Sequence, residues 1–116
     1  MKRPFLLVLL IGLSGCLDFT TIDDVDCPDG GTPLTYDNFG RPFMAVWCNR
    51  CHSARVEDRQ GAPVDVVLDT KERVRALRDR IFARAAADND SMPPGPDNPP
   101  RAERDRLAVW LACGAN

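Results

Sequence analysis

Three things are scarce in this sequence of 116 residues, and each scarcity excludes something. There is no surplus of basic charge: 15 Lys and Arg stand against 17 Asp and Glu, for a formal charge of −2. Nucleic-acid-binding domains normally carry a clustered basic excess, so that class is set aside. There is no long apolar run either. The longest falls well short of the roughly 20 residues that a membrane-spanning helix needs. Histidine occurs once, at His52, so no site built on two imidazoles can form within one chain. The length leaves room for one small domain. What the chain does have in quantity is five cysteines and ten prolines, and the cysteines divide into three jobs.

The first job lies at the N-terminus. Lys2 and Arg3 precede an apolar stretch from Phe5 to Leu13, followed by Ser14, Gly15 and Cys16. A charged start, a short apolar stretch and small residues before a cleavage point describe an export signal. Leu13-Ser14-Gly15-Cys16 resembles the lipobox of bacterial lipoproteins. The resemblance implies cleavage before Cys16 and transfer of a diacylglycerol to its thiol. The other reading is an ordinary secretory signal with Cys16 as a chance residue or a disulfide partner. Cleavage removes Lys2 and Arg3, leaving thirteen basic against seventeen acidic side chains, a charge of −4 over 101 residues.

From Leu17 to Asp37 there are six aspartates (18, 23, 24, 26, 29 and 37) and no Lys or Arg. Asp29-Gly30-Gly31-Thr32-Pro33 adds turn chemistry without helical period. This predicts an acidic, extended tether over about 17–34, with only Cys27 to pin it. Three helices follow. The first is expected over about 40–49, where Phe43, Val46 and Trp47 share a face and Pro42 falls in the first turn. The second is expected over about 70–87. Asp69 and Glu72 have capping-box spacing, and Val74, Leu77, Ile81 and Ala85 repeat at helical intervals. Arginines 73, 75, 78, 80 and 84 form mostly its solvated face. The third runs over about 99–112, with Asn98 as N-cap, Gly114 just past the end, and Leu107, Trp110 and Leu111 as its apolar stripe. Residues 88–98, rich in Pro, Asn and Asp, form an irregular loop between the last two. The fold class expected is all-α.

Cys48-Asn49-Arg50-Cys51-His52 carries the chemistry. Covalent haem attachment needs two thiols on one helical turn and an imidazole immediately after them, beneath the iron. A thiol–disulfide redox pair is the first rival, but its fold wants a strand–helix–strand pattern that this chain lacks. A zinc site is the second; it wants four ligands, and no second Cys or His cluster stands at metal spacing. Export also favours haem c, which is attached outside the cytoplasm. With His52 as proximal ligand, the sixth position falls to methionine, another weak donor, water or nothing. Met44 precedes the motif by one turn on the same helix and cannot reach the far face, and Met1 leaves with the signal. Met92 remains, in Ser91-Met92-Pro93-Pro94-Gly95, with two stiff prolines behind it; otherwise it is a surface residue of a Pro-rich loop.

From about Asp37 to Gly114 the chain resembles a class I c-type cytochrome: a first helix ending in the haem motif, a Met-Pro-Pro loop and a closing helix. The resemblance implies a small cytochrome c fold, in which the first and last helices cross around one covalently bound haem. Phe43 and Val46 would then meet Trp110 and Leu107. It also implies that a proline carbonyl accepts from the Nδ1–H of the ligand, and Pro63, eleven residues after His52, fits. The chain differs from the family in its lipid anchor, its acidic tether and two extra cysteines. With one cysteine for lipid and two for haem, Cys27 and Cys113 remain. In an oxidising compartment they form a disulfide clamping the tether to the closing helix, or stay free thiols.

The organisation expected is a lipoprotein signal at 1–15, a lipidated tether at 16–36 and a cytochrome c domain at 37–116. The function expected is electron transport rather than catalysis. A membrane-tethered one-electron carrier would use one His/Met-ligated c-type haem, exchanging electrons with periplasmic or membrane redox proteins. Arg50, Arg55 and Arg84 are candidates for offsetting the haem propionates. The alternatives are a five-coordinate haem sensor or ligand-binding domain, and an accessory subunit of a larger oxidoreductase. Leu17, after the anchor cysteine, lacks the aspartate that retains many lipoproteins in the inner membrane, which points to the outer membrane and a domain facing the periplasm.

Overall fold

A computed structural model describes residues 19–116. The signal segment and the expected lipidation site, Cys16, lie outside the described residues. Among the described residues the structure is helical and without strands: α1 (Arg41–Trp47), α2 (Asn49–His52), α3 (Lys71–Ala76), α4 (Arg78–Ala85) and α5 (Arg101–Ala112). No helix among them is long and apolar enough to cross a membrane.

The helical entry begins earlier than expected, at Tyr36. Thr35 and Asn38 cap it reciprocally: the Thr35 hydroxyl accepts from the Asn38 N–H at 3.1 Å, and Asn38 Oδ1 accepts from the Thr35 N–H at 2.7 Å. Tyr36–Gly40 is a wide π turn that closes with the Arg41 N–H on the Tyr36 carbonyl. Pro42 gives the reason. It has no N–H to donate, and its ring crowds the carbonyl four residues back, which a wider turn relieves. α1 then ends at Cys48, whose φ of −116° breaks regular geometry just before the thiol motif.

The expected second helix exists as two, interrupted at Leu77. Its cap differs from the expected one. Thr70, not Asp69, is the N-cap, with its hydroxyl accepting from the Arg73 N–H at 3.3 Å. Asp69 faces the other way and accepts from the Ala54 N–H at 2.8 Å. The apolar stripe is as the period predicts, with Val74, Ile81 and Ala85 buried and Leu77 packed against them. α5 starts at Arg101, with Pro100 rather than Asn98 at its cap and no side-chain capping bond. It closes as expected around Gly114 at φ +94°. The Gly114 N–H reaches the Leu111 carbonyl and the Ala115 N–H the Trp110 carbonyl, a closure that needs the left-handed residue between them.

The first and last helical segments meet at Gly40 and Trp110. A Cβ at Gly40 would lie 2.3 Å from Trp110 Cη2, so only glycine permits this approach. Phe39 stands edge-on to Trp110 at 5.8 Å and stacks toward Phe43 at 5.5 Å. Val46, expected in this contact, is 64% exposed; the seam is made nearly two turns earlier, by Phe39 and Gly40. Met44, Val74, Phe82, Leu107, Trp110 and Leu111 form the driest part of the core.

The acidic segment is not an extended tether. Thr20 donates its N–H to Asp88 Oδ1 at 3.2 Å and accepts from Asn89 Nδ2 at 2.9 Å. A short 3-10 turn (Ile22–Asp24) follows, and Ile22, Val25 and Leu34 pack against the core. Aspartates 23, 24, 26 and 29 stay on its outer side, exposed. The aspartates conceal from a composition reading the apolar residues that fasten this strap.

Candidate functional site

The site begins with a short helix whose first carbonyl is shared. Cys48 O accepts from both the Cys51 and the His52 N–H, at 3.1 and 3.0 Å, winding the two thiols and the imidazole onto one turn. Both thiols are free of disulfides. Burial pushes the Cys48 thiol up to about 12, so it stays protonated at neutral pH. An exchange-active cysteine has the opposite property, a lowered pKa.

His52 Nδ1–H donates to the Val66 carbonyl at 3.1 Å. A carbonyl can only accept, so this bond assigns a proton to Nδ1, and in the neutral ring Nε2 is then the nitrogen that carries the lone pair for a metal or a donor. The resemblance points to the Pro63 carbonyl as acceptor, but the structure gives that role to Val66. Pro63 O accepts instead from the Val66 N–H at 3.0 Å, forming the turn that presents the Val66 carbonyl. Arg59 Nη2 then donates to both carbonyls at 2.8 Å. Further along, the Leu68 N–H reaches the His52 carbonyl at 2.8 Å, and Asn49 Nδ2 the Leu68 carbonyl at 3.0 Å. The 59–68 loop is thereby stapled to the motif from Asn49 to His52.

Cys48, Cys51 and His52 line a cavity of about 350 Å³. Its walls are mostly apolar: Phe43 and Trp47 from α1, Leu68, Leu77 and Ile81, with Pro63 and Val66 beside the histidine. Met92, Pro93 and Pro94 line the same cavity, so the fold brings the candidate ligand loop to the thiol motif. Met44 is elsewhere, fully buried in the core. Of the arginines singled out for propionates, Arg84 lines the cavity, and Arg59 and Arg80 join it. Arg50 borders a neighbouring groove with Val46 and Pro96, and Arg55 borders neither.

Met92 is held by its backbone at both ends. Its N–H donates to the Arg84 carbonyl at 2.8 Å, and its own carbonyl accepts from Arg104 Nη1 at 3.1 Å. Arg104 is only 4% exposed. Its Nη1 also reaches the carbonyls of Ala85 and Asn89, both at 2.9 Å, and Nε reaches that of Pro99 at 3.2 Å. Sequence reasoning passed over Arg104, because an arginine in a helix with Arg101 and Arg106 reads as surface charge. Its i+3, i+4 and i+7 spacing to Leu107, Ala108 and Leu111 puts it on the buried side of α5, and that was the available signal.

Cys27 and Cys113 are joined as a disulfide, with Cα atoms 5.0 Å apart and a sequence separation of 86. It ties the strap to the end of α5. No cluster of three or more His, Cys, Asp or Glu suited to a metal ion occurs among the described residues. In comparison with known proteins, the chain matches no family model, no curated protein and no solved structure.

Proposed function

We propose that this chain is a membrane-tethered one-electron carrier of the class I c-type cytochrome kind, with one covalent haem. The observation that carries it is the orientation of His52 in the cavity wall, Nδ1 tied back to Val66 and Nε2 left for iron, on the same turn as two unpaired thiols. The residues fit the group chemically. Cys48 and Cys51 are free thiols on a mostly apolar cavity, suited to thioether formation with the two vinyls of haem. His52 and Met92, which line the same cavity, would hold the iron. When bound, the haem supplies the ferric/ferrous couple and thus the electron transfer itself.

The chain's own residues do the rest. Val66 and Arg59 hold the imidazole in one tautomer, and the Val66 carbonyl strengthens it as a donor. Phe43, Trp47, Leu68 and Ile81 give the cavity an apolar wall, which would keep water from a bound haem and lower the local dielectric. A thioether ligand raises the potential relative to a second histidine. Arg80 and Arg84, on the cavity wall, would offset the charge of the haem propionates. The anchor on Cys16 would hold the domain on the periplasmic side of a membrane, among membrane and periplasmic redox partners.

One observation favours the second reading, a haem sensor with an open sixth position: Met92 is 39% exposed. The deciding experiment is the spectrum of exported, purified protein. The carrier reading expects a sharp c-type α-band on reduction, a weak red charge-transfer band on oxidation and resistance to carbon monoxide. Rapid carbon monoxide binding without the red band selects the sensor, and absence of covalent haem overturns both.

A further inference from the structure

We propose that the domain rides against a lipid surface in one fixed orientation, with the Thr20–Asp88 end and the Met92 loop on its membrane-facing half. The proposal rests on the reading of Cys16 as the lipid anchor, and it departs from the long tether that the composition suggests.

The leash is short because the strap belongs to the domain. Both backbone groups of Thr20 are engaged, by Asp88 Oδ1 at 3.2 Å and Asn89 Nδ2 at 2.9 Å. Beyond Thr20, Ile22 and Val25 pack on the core and Cys27 is bonded to Cys113. Only Leu17, Asp18 and Phe19 separate Cys16 from this fastened point. Four Cα steps reach at most about 14 Å. A free tether over 17–34 would reach about 60 Å. The twelve residues of α5 alone are about 18 Å long, so the leash is shorter than the body it holds. A body on such a leash cannot present its far end to the lipid.

The fold also says which end is near. The Ala87 N–H donates to the Arg104 carbonyl, placing the Thr20 anchorage beside the first turns of α5. The strap then runs to Cys113, nine residues farther along that helix region and about 14 Å up its axis. Gly30 and Gly31, in the turn beyond Cys27, therefore belong to the far half. Arg104 Nη1 bonds the Asn89 and Met92 carbonyls together, so the Met92 rim of the cavity belongs to the near half. Phe19, one residue closer to the anchor, is 60% exposed, an apolar ring that the fold leaves uncovered. Asp88, Asp90 and Arg101 give this end mixed charge, so the acyl chains and Phe19, rather than net charge, hold it to lipid. The Met92 rim is presented at the height of the bilayer surface, where membrane-embedded redox proteins stand.

The test uses the full lipidated chain in nanodiscs of phosphatidylethanolamine and phosphatidylglycerol, with and without gadolinium-chelating headgroups, read by amide NMR of the reduced protein. The amides of Thr20, Asp88, Asn89 and Ser91 should broaden several-fold more than those of Gly30, Gly31 and Gly114. Insertion of a ten-residue Gly/Ser linker after Leu17 should bring the two sets to equal broadening without altering the fold. Phe19→Ser should weaken the contrast while leaving the anchor in place. Uniform or inverted broadening in the parent, on a chain whose mass shows the diacylglyceryl group, overturns the orientation alone. A chain whose mass lacks that group overturns the anchor reading and the orientation with it.

Discussion

Arg104 holds the backbone of Met92 in place: its Nη1 donates to the Met92 carbonyl at 3.1 Å while also binding those of Ala85 and Asn89. One buried guanidinium therefore gathers the end of α4, the loop and Met92. A lysine keeps the charge but has neither the planar fork nor the reach for all these carbonyls. Arg104→Lys should lower unfolding free energy by about 2–4 kcal/mol, because buried carbonyls lose their donors. It should also let imidazole displace Met92 at roughly tenfold lower concentration, about 1.4 kcal/mol of lost positioning. Arg101→Lys, exposed on the same helix, should leave imidazole binding unchanged. Urea unfolding and imidazole titration of the red band check both; a loss of stability with unaltered imidazole affinity would show that Arg104 only supports the loop.

Met92→Ala should abolish the red charge-transfer band, admit carbon monoxide and lower the reduction potential, since a soft sulfur favours ferrous iron. Haem attachment should survive, because Cys48, Cys51 and His52 are untouched. Met44→Ala should leave the band and potential alone and cost about 2–5 kcal/mol of stability, as expected for a fully buried Met. Optical spectra and potentiometry separate the two methionines.

Gly40→Ala tests the helix crossing without a backbone complication, since Gly40 has an ordinary helical φ of −61°. The new Cβ would meet the Trp110 ring, whose Cη2 lies 2.3 Å from that position, and nothing rigid nearby can yield. Overpacking of this kind costs about 1–3 kcal/mol or somewhat more. Chemical denaturation followed through Trp fluorescence should show it, and a variant as stable as the parent would mean that the crossing repacks freely.

The Cys27–Cys113 bridge spans a sequence separation of 86, worth about 4–5 kcal/mol in the chain-entropy account, and less where the proposed haem also cross-links the chain. Mass analysis after alkylation should find no free thiol at either position until reductant is added. Reduced protein should then be cleaved by protease within the strap well before the helices are attacked.

Hydrogen bonds from the Thr20 hydroxyl and N–H hold the Asp88 carboxyl below the usual carboxylate range. A group depressed in the folded state contributes stability that is complete above its ordinary value, 3.8, and lost as pH falls through the lowered one. Fastening of the strap at Thr20 should therefore persist at pH 5 and loosen only in stronger acid. Asp88→Ala should loosen it at neutral pH. Hydrogen exchange at the Thr20 and Thr21 amides, compared between the two chains, reads the difference.

Local pattern in the sequence already determined the helical class, the stripe of Val74, Ile81 and Ala85, the turn at Gly114 and the Cys48-Cys51-His52 motif. These depend on periodicity, on handedness at a helix end, and on chemistry compressed into five consecutive residues, all properties of neighbouring positions. What only the tertiary structure decided involves groups distant in the chain. Whether Pro63 or Val66 serves His52 turns on where a loop carbonyl points, and every residue has a carbonyl. Whether Arg104 is surface charge or a buried clamp turns on which carbonyls crowd α5. Whether residues 20–34 hang free or lie on the domain turns on three apolar side chains finding the core, against a composition dominated by aspartate. Sequence carries the periodicity of an element and the identity of its donors, but the partner of a buried polar group is fixed by long-range packing, because the cost of leaving it unpaired is charged only when the chain has closed around it.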